Sequence, residues 1–159
     1  MHFQSTARIA AMIILCCGVG IISGLFTGDT IGGWYGALRK PPLNPPSWVF
    51  GVIWPILYIM MGIAAGLVWN KQPEQHFFTA AMEMFLFQLL LNGLWTPLFF
   101  KLHAIGWALA ELLLLWIVIL VTVIIFYRLF KVSGILLLPY LTWVSFAIYL
   151  NAGFLVLNR

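Results

Sequence analysis

Charged residues divide the chain into long apolar runs. Arg8 and Asp29 bracket twenty uncharged residues, Lys40 and Lys71 thirty, and Glu83 and Lys101 seventeen. Glu111 and Arg128 bracket sixteen, and Lys131 and Arg159 twenty-seven. A helix needs about 20 apolar residues to cross hydrocarbon, with a range of about 17–25. Two of the runs are short only because Glu83 and Glu111 interrupt longer apolar stretches. Counting both as carboxylates within a membrane gives five spans, near 7–27, 47–69, 77–100, 105–127 and 133–157. Membrane strands would instead alternate apolar and polar residues over about ten positions. Residues 117–125 read Ile-Val-Ile-Leu-Val-Thr-Val-Ile-Ile and do not alternate. The expected class is an all-α membrane protein, a five-transmembrane-helix bundle forming a single domain over residues 1–159.

Composition agrees with lipid as the solvent. The chain is 64% hydrophobic and 8% charged, with mean hydropathy +1.05, against about 45–50% apolar and about 25% charged for a soluble domain. An ordinary soluble globule, a disordered chain and a solvated coiled coil are excluded. The first span is long and lacks a small-x-small cleavage site, so it reads as a helix rather than a signal peptide. The net charge of +4 comes from basic residues scattered at span ends. They read as interface anchors, and no nucleic-acid partner is expected. Arg8, Lys71, Arg128 and Lys131 fall on one side, and Arg39, Lys40, Lys101 and Arg159 on the other. That tie leaves orientation and the identity of the membrane open; the expectation is an integral multi-pass protein with the bilayer as partner. Cys16 and Cys17 are adjacent, a poor geometry for a disulfide, and read as small apolar filler.

Residues 28–46 form the one long connection. Trp34, Tyr35 and Leu38 can share a face of a helical turn, and Pro41, Pro42, Pro45 and Pro46 stiffen the exit. Asn44 before Pro45 has the form of an N-cap followed by proline at the first helical position. An aromatic, proline-stiffened loop is expected to act as a lid. Pro55, Pro97 and Pro139 are expected to kink their spans and open space between helices. Gly20-x-x-x-Gly24 and Gly62-x-x-x-Gly66 allow close helix approach, either inside one bundle or in a dimer.

Helical spacing then places chemistry on particular faces. Gln88, Asn92 and Trp95 share a face of the third span, Trp107, Glu111 and Leu114 a face of the fourth, and Trp143, Ala147 and Leu150 a face of the fifth, with Tyr140 one turn earlier. Trp54 and Tyr58 share a face of the second. Polar groups in hydrocarbon are costly unless they turn inward. Gln88 and Asn92 either bond neighbouring helices or line a cavity walled by aromatic rings. Glu111 is expected to bond a backbone carbonyl or an indole, and Glu83 to lie near its span end. Trp34, Trp48 and Trp69 suit an aromatic belt at the headgroups. There is no Ser/His/Asp set, no HExxH and no glycine-rich phosphate loop, and His2, His76 and His103 lack ligand spacing, so no metal site is expected.

Four stretches carry a resemblance. They are Trp34-Tyr35-Gly-Ala-Leu-Arg-Lys40-Pro41-Pro-Leu-Asn-Pro45-Pro46, Gln88-Leu-Leu-Leu-Asn92-Gly-Leu-Trp95-Thr-Pro97-Leu-Phe-Phe100, Gly106-Trp107-Ala-Leu-Ala-Glu111 and Pro139-Tyr140-Leu-Thr-Trp143-Val-Ser-Phe-Ala147-Ile-Tyr-Leu-Asn151. Together, and in this order, they resemble the tryptophan-rich sensory protein / translocator protein (TSPO) family. The resemblance implies a five-helix bundle, commonly a homodimer, with a lid-like first loop. It implies a pocket for porphyrins such as protoporphyrin IX or haem, held as ligand with no cofactor required, and in animal members for cholesterol and synthetic ligands. Carried over by motif, the ligand-binding residues are Tyr35, Trp54, Asn92, Trp95, Trp107, Ala110, Leu114, Trp143, Ala147 and Leu150. The C-terminal cholesterol motif is missing, since Tyr149 lies ten residues from Arg159. The implied function is a porphyrin-binding membrane sensor or receptor. The alternatives are a light-dependent porphyrin-degrading enzyme, with Trp54 and Trp143 as candidate catalytic residues, and transport of a porphyrin or sterol-like lipid. Arg39 or Lys40 at the pocket mouth would pair with propionates.

Overall fold

Prolines and glycines set where the helices of the computed structural model begin, bend and approach one another. The structure describes residues 2–27, 32–71 and 75–159; residues 28–31 of the expected lid lie outside them. In chain order the helices are α1 (His2–Gly24), α2 (Trp34–Ala37), α3 (Ser47–Lys71), α4 (Gln75–Thr96, continued by a π-helical turn Pro97–Lys101), α5 (Ile105–Leu129), α6 (Lys131–Leu136) and α7 (Leu138–Leu157). Among the described residues there is no strand. Five helical stretches, the last joining α6 to α7, are long and apolar enough to cross a membrane. The chain is an integral multi-pass membrane protein with the five spans that its charge pattern predicts.

α1 packs along α3 and also touches α4; α4 packs on α5, α5 on α6 and α7, and α6 closes back on α3. The α1–α3 crossing depends on Gly62 and Gly66. A Cβ at either would collide with the backbone of α1, at Ile13 and Ile9. This small-residue face is therefore used inside one chain. Gly20 likewise lies under the ring of Tyr58, whereas Gly24 faces open space. At the far end from the lid, Arg8 lies over the Trp69 ring at 5.7 Å and donates to the Trp69 carbonyl, and Lys71 lies over Phe130 at 4.5 Å.

The prolines act in three ways. α3 continues as one unbroken helix through Pro55. Pro97 starts the π-helical turn, whose carbonyl accepts the Leu102 N–H five residues on, at 2.9 Å. His103 follows with φ 52°, a left-handed conformation that turns the chain into α5. Pro139 falls in the first turn of α7, just after a break at Leu137. Across that break α3 packs along α6 but barely meets α7, and the bundle is open between them.

The start of α3 corrects one expectation. The helix begins at Ser47, not at Pro45. Pro46 holds the preceding Pro45 in extended backbone, so Pro45 cannot enter a helix. The first turn is closed instead by the Val49 N–H on the Pro46 carbonyl at 3.0 Å. Asn44 accepts from the Tyr35 hydroxyl at 3.3 Å and donates to the Pro45 carbonyl at 3.2 Å, which makes it a lid residue rather than a cap.

Candidate functional site

Where α3 and α7 diverge, the bundle holds a cavity of about 520 Å³. Its floor is a row of three buried polar side chains. The Tyr58 hydroxyl donates to Asn92 Oδ1 at 2.5 Å, and Asn92 Nδ2 donates to the Tyr140 hydroxyl at 2.9 Å. Both ends of one amide are satisfied by phenols from two other helices, which ties α3, α4 and α7 together beneath the cavity. Trp54, one turn before Tyr58, stacks on it at 5.7 Å and meets Tyr140 edge-on at 6.5 Å.

The walls are aromatic. Phe50 of α3 meets Trp143 of α7 edge-on at 5.8 Å, and Trp95 of α4 stacks on Phe99 of the π-helical turn at 5.2 Å. Leu112, Leu115, Ala147 and Leu150 fill the apolar wall between them, and Cys17, Gly20 and Ser23 supply the α1 side. The Ser23 hydroxyl donates to the Gly93 carbonyl at 3.3 Å, so it is already paired.

The lid lies over the loop end. Tyr35 is buried among Phe99, Phe100 and Phe154, with ring centroids 5.5–6.3 Å away. Burial pushes its phenol above the ordinary range, and the bond to Asn44 pulls it partly back. Trp34 stacks on His103 at 4.1 Å. Three contacts fasten the lid to the end of α7. Asn158 accepts from the Arg39 N–H at 2.8 Å and donates to the Arg39 carbonyl at 3.0 Å. Tyr149 donates to the Pro42 carbonyl at 3.0 Å. Pro41 occupies the space that a Cβ on Gly153 would need.

Seven of the ten residues expected in the pocket lie on its wall: Tyr35, Trp54, Asn92, Trp95, Trp143, Ala147 and Leu150. Trp107, Ala110 and Leu114 do not. Trp107 is 75% exposed and Leu114 45%, and Ala110 is exposed with them. α5 turns Ala108, Leu112, Leu115 and Ile119 inward. At about 100° per residue, this rotates the other three to the outer face. Glu111 lies on the flank between. Its carboxyl oxygens are enclosed but meet neither the expected carbonyl nor an indole. Gln88 is buried at 1% exposure, yet its amide makes no hydrogen bond. Arg39 and Lys40 are exposed and do not line the cavity. Lys40 instead rests its ammonium over the Tyr35 ring, 5.5 Å from the ring centroid.

The structure adds residues that spacing alone did not single out: Phe50, Phe99, Phe154 and Asn151 all reach the wall. Asn151 had a readable signal, an amide one position past Leu150 in an apolar run, where a polar side chain has to turn inward. The phenylalanines had none, because a ring is equally at home against lipid.

Residues 12–157 match the model of the TspO/MBR family. The chain belongs to the TspO/MBR family. It is 40% identical over 150 residues to the tryptophan-rich protein TspO of Chlorobaculum tepidum, covering 94% of this chain and 95% of that protein. It is 37% identical over 125 residues to the tryptophan-rich sensory protein of Cereibacter sphaeroides, covering 79% and 77%. The translocator protein of Homo sapiens is 38% identical over 122 residues, covering 74% and 70%. For a TspO/MBR member, the lid, the aromatic walls and the Tyr58–Asn92–Tyr140 floor form one continuous candidate site.

Proposed function

We propose that this TspO/MBR protein is a membrane sensor that binds a porphyrin of the protoporphyrin IX type in the tryptophan-walled cavity. One observation carries the reading. Trp54, Trp95 and Trp143, from three different helices, converge on a single cavity of about 520 Å³. Small-molecule sites span about 300–1,000 Å³ and are walled by apolar and aromatic groups with a few polar ones. A flat conjugated ring gains about 0.5–1.5 kcal/mol per aromatic partner beyond the area it buries. The names of the relatives, sensory and translocator, accord with a small-molecule role.

The test is a tryptophan-fluorescence titration of detergent-purified protein with protoporphyrin IX, in the dark, against Trp143→Phe and Asn92→Ala. Saturable quenching that weakens in both variants is the expected result. Linear quenching, identical in all three proteins, means partition into micelles and overturns the reading.

A second reading, light-driven porphyrin breakdown, draws support from the placement of Trp54 and Trp143 on opposite helices of the same wall. It requires bleaching of porphyrin in molar excess over protein under light, lost when both are replaced by Phe. Equal bleaching with and without the two indoles removes it.

A further inference from the structure

We infer that the cavity takes its ligand sideways from the bilayer, through a seam between α1 and α3, and not past the lid. This rests on the porphyrin-site reading and adds the phase from which the ligand arrives.

The seam begins as a tight joint. On α3, residues 47, 51, 55, 58, 62 and 66 recur every three or four positions and share one face. The half of this stripe far from the lid is packed on α1. Gly66 lies against the backbone of Ile9, and Gly62 against that of Ile13. Four residues back along α3 are therefore four forward along α1. One turn nearer the lid, the Tyr58 ring covers Gly20. Carried on toward the lid, the register sets Gly51 opposite Gly24, each eleven residues beyond the contact of Gly62 with Ile13. Here the joint has parted. Among the described residues, a Cβ added to either glycine meets nothing within 4 Å.

The parted edges belong to the cavity. Ile21 and Gly24 of α1, and Ser47, Gly51 and Pro55 of α3, all line it and are all exposed, Ile21 by 68%. The other flank of α3 is occupied elsewhere, since Phe50 and Trp54 turn to Trp143 and Tyr140 of α7. Ser47 to Pro55 rises about 12 Å along the helix axis. The opening therefore runs from the end of the span into the depth of the hydrocarbon. Its rim is aliphatic. Ile22 and Leu25 on one side, and Val52 and Ile56 on the other, are 51–76% exposed. Such a surface within a span faces lipid.

The lid end contrasts with this. Tyr35 is buried among three phenylalanine rings. The loop is bonded to α7 through Asn158 and Tyr149. A flat apolar ring gains by leaving water for lipid. From the lipid side, the parted seam leads to the tryptophan walls with no bond to break.

The experiment narrows and widens the seam. Full-length protein in phosphatidylcholine vesicles is mixed with protoporphyrin IX in the dark, and tryptophan quenching is followed by stopped flow. Gly24→Leu and Gly51→Leu each place a side chain in the gap. Association and release should both slow by about tenfold, because an obstacle in the path acts on both rates and leaves Kd nearly unchanged. Gly18→Leu is the control, since Gly18 also faces open space but does not line the cavity; it should keep the wild-type rates. Ile21→Ala trims the exposed side chain in the mouth and should speed association severalfold. That change removes only lipid-facing carbons, so it carries the test even where a leucine variant does not fold. Wild-type association in Ile21→Ala, or in both folded leucine variants, overturns the inference. Slowing in Gly18→Leu equal to that in the seam variants overturns it too. Absence of saturable quenching in the wild type is a different failure, and removes the porphyrin reading beneath it.

Discussion

Replacing Asn92 by Leu tests whether the cavity floor is a connected hydrogen-bond row. Leucine shares the branching of asparagine at Cγ but is bulkier, so the change removes polarity without opening a void. Two bonds vanish, the 2.5 Å bond from Tyr58 and the 2.9 Å bond to Tyr140, and two buried hydroxyls lose their partner. Buried hydrogen bonds contribute about 0.5–1.5 kcal/mol each in soluble proteins. Between membrane helices they average about 0.6 and reach about 1.7 kcal/mol. The pair should therefore cost about 1–3 kcal/mol. For a chain of this size that lowers the unfolding midpoint by about 2–12 °C. Thermal unfolding in detergent, followed by circular dichroism, reads it directly. The sharper measurement adds Tyr58→Phe and Tyr140→Phe to Asn92→Leu. Removing the stranded hydroxyls should recover most of the loss, because an apolar replacement of all partners is nearly neutral. A triple variant less stable than the single one, or a single variant that unfolds like the wild type, refutes the row as drawn.

Three further outcomes follow from the packing. Gly62→Val places branched carbons against the backbone of α1 at Ile13 and should lower the unfolding midpoint by several degrees, while Gly24→Ala, which faces open space, should leave it unchanged. Asn158→Ala breaks the reciprocal pair with Arg39, and Gly153→Ala drives a methyl into Pro41; stopped-flow release of bound porphyrin should be severalfold faster in both, and rates equal to wild type would show that the lid does not control exchange. Burial raises the Tyr35 phenol, so the neutral donor is the folded form; the lid bond to Asn44 is complete below the free phenol's 10.0 and is lost as pH climbs through the raised value. Porphyrin release should accelerate only above about pH 10, and Tyr35→Phe should abolish that alkaline step.

The spans were legible because twelve charged side chains punctuate an otherwise apolar chain, and lipid leaves few other places for them. The helical turn at Trp34 and Tyr35 was legible for the same reason, as an apolar face inside a loop. The rotation of α5 was not. Trp107, Ala110 and Leu114 have helical spacing, but in a bilayer the outer face is as apolar as the inner one, so spacing names a face without saying which way it turns. Glu111 looked like a pointer inward and marks only the flank. Phe99 and Phe154 were hidden because a phenyl ring is equally at home against lipid, and Phe99 also sits in the π-helical turn that Pro97 starts, which shifts its register by a fraction of a turn. The amides were the dependable signal. Asn92 and Asn151 both turned inward, as the cost of a bare amide in hydrocarbon requires.

The bond pair between Arg39 and Asn158 joins residues 119 positions apart. Its consequence is temporal. A ribosome feeding this chain into a membrane releases α1, the loop and α3 long before the residue that fastens the loop exists. Until residue 158 has emerged and the fifth span has been inserted, the loop has no clasp and the cavity lacks one wall. A half-made chain therefore has no closed cavity, and the site comes into being only when assembly is complete.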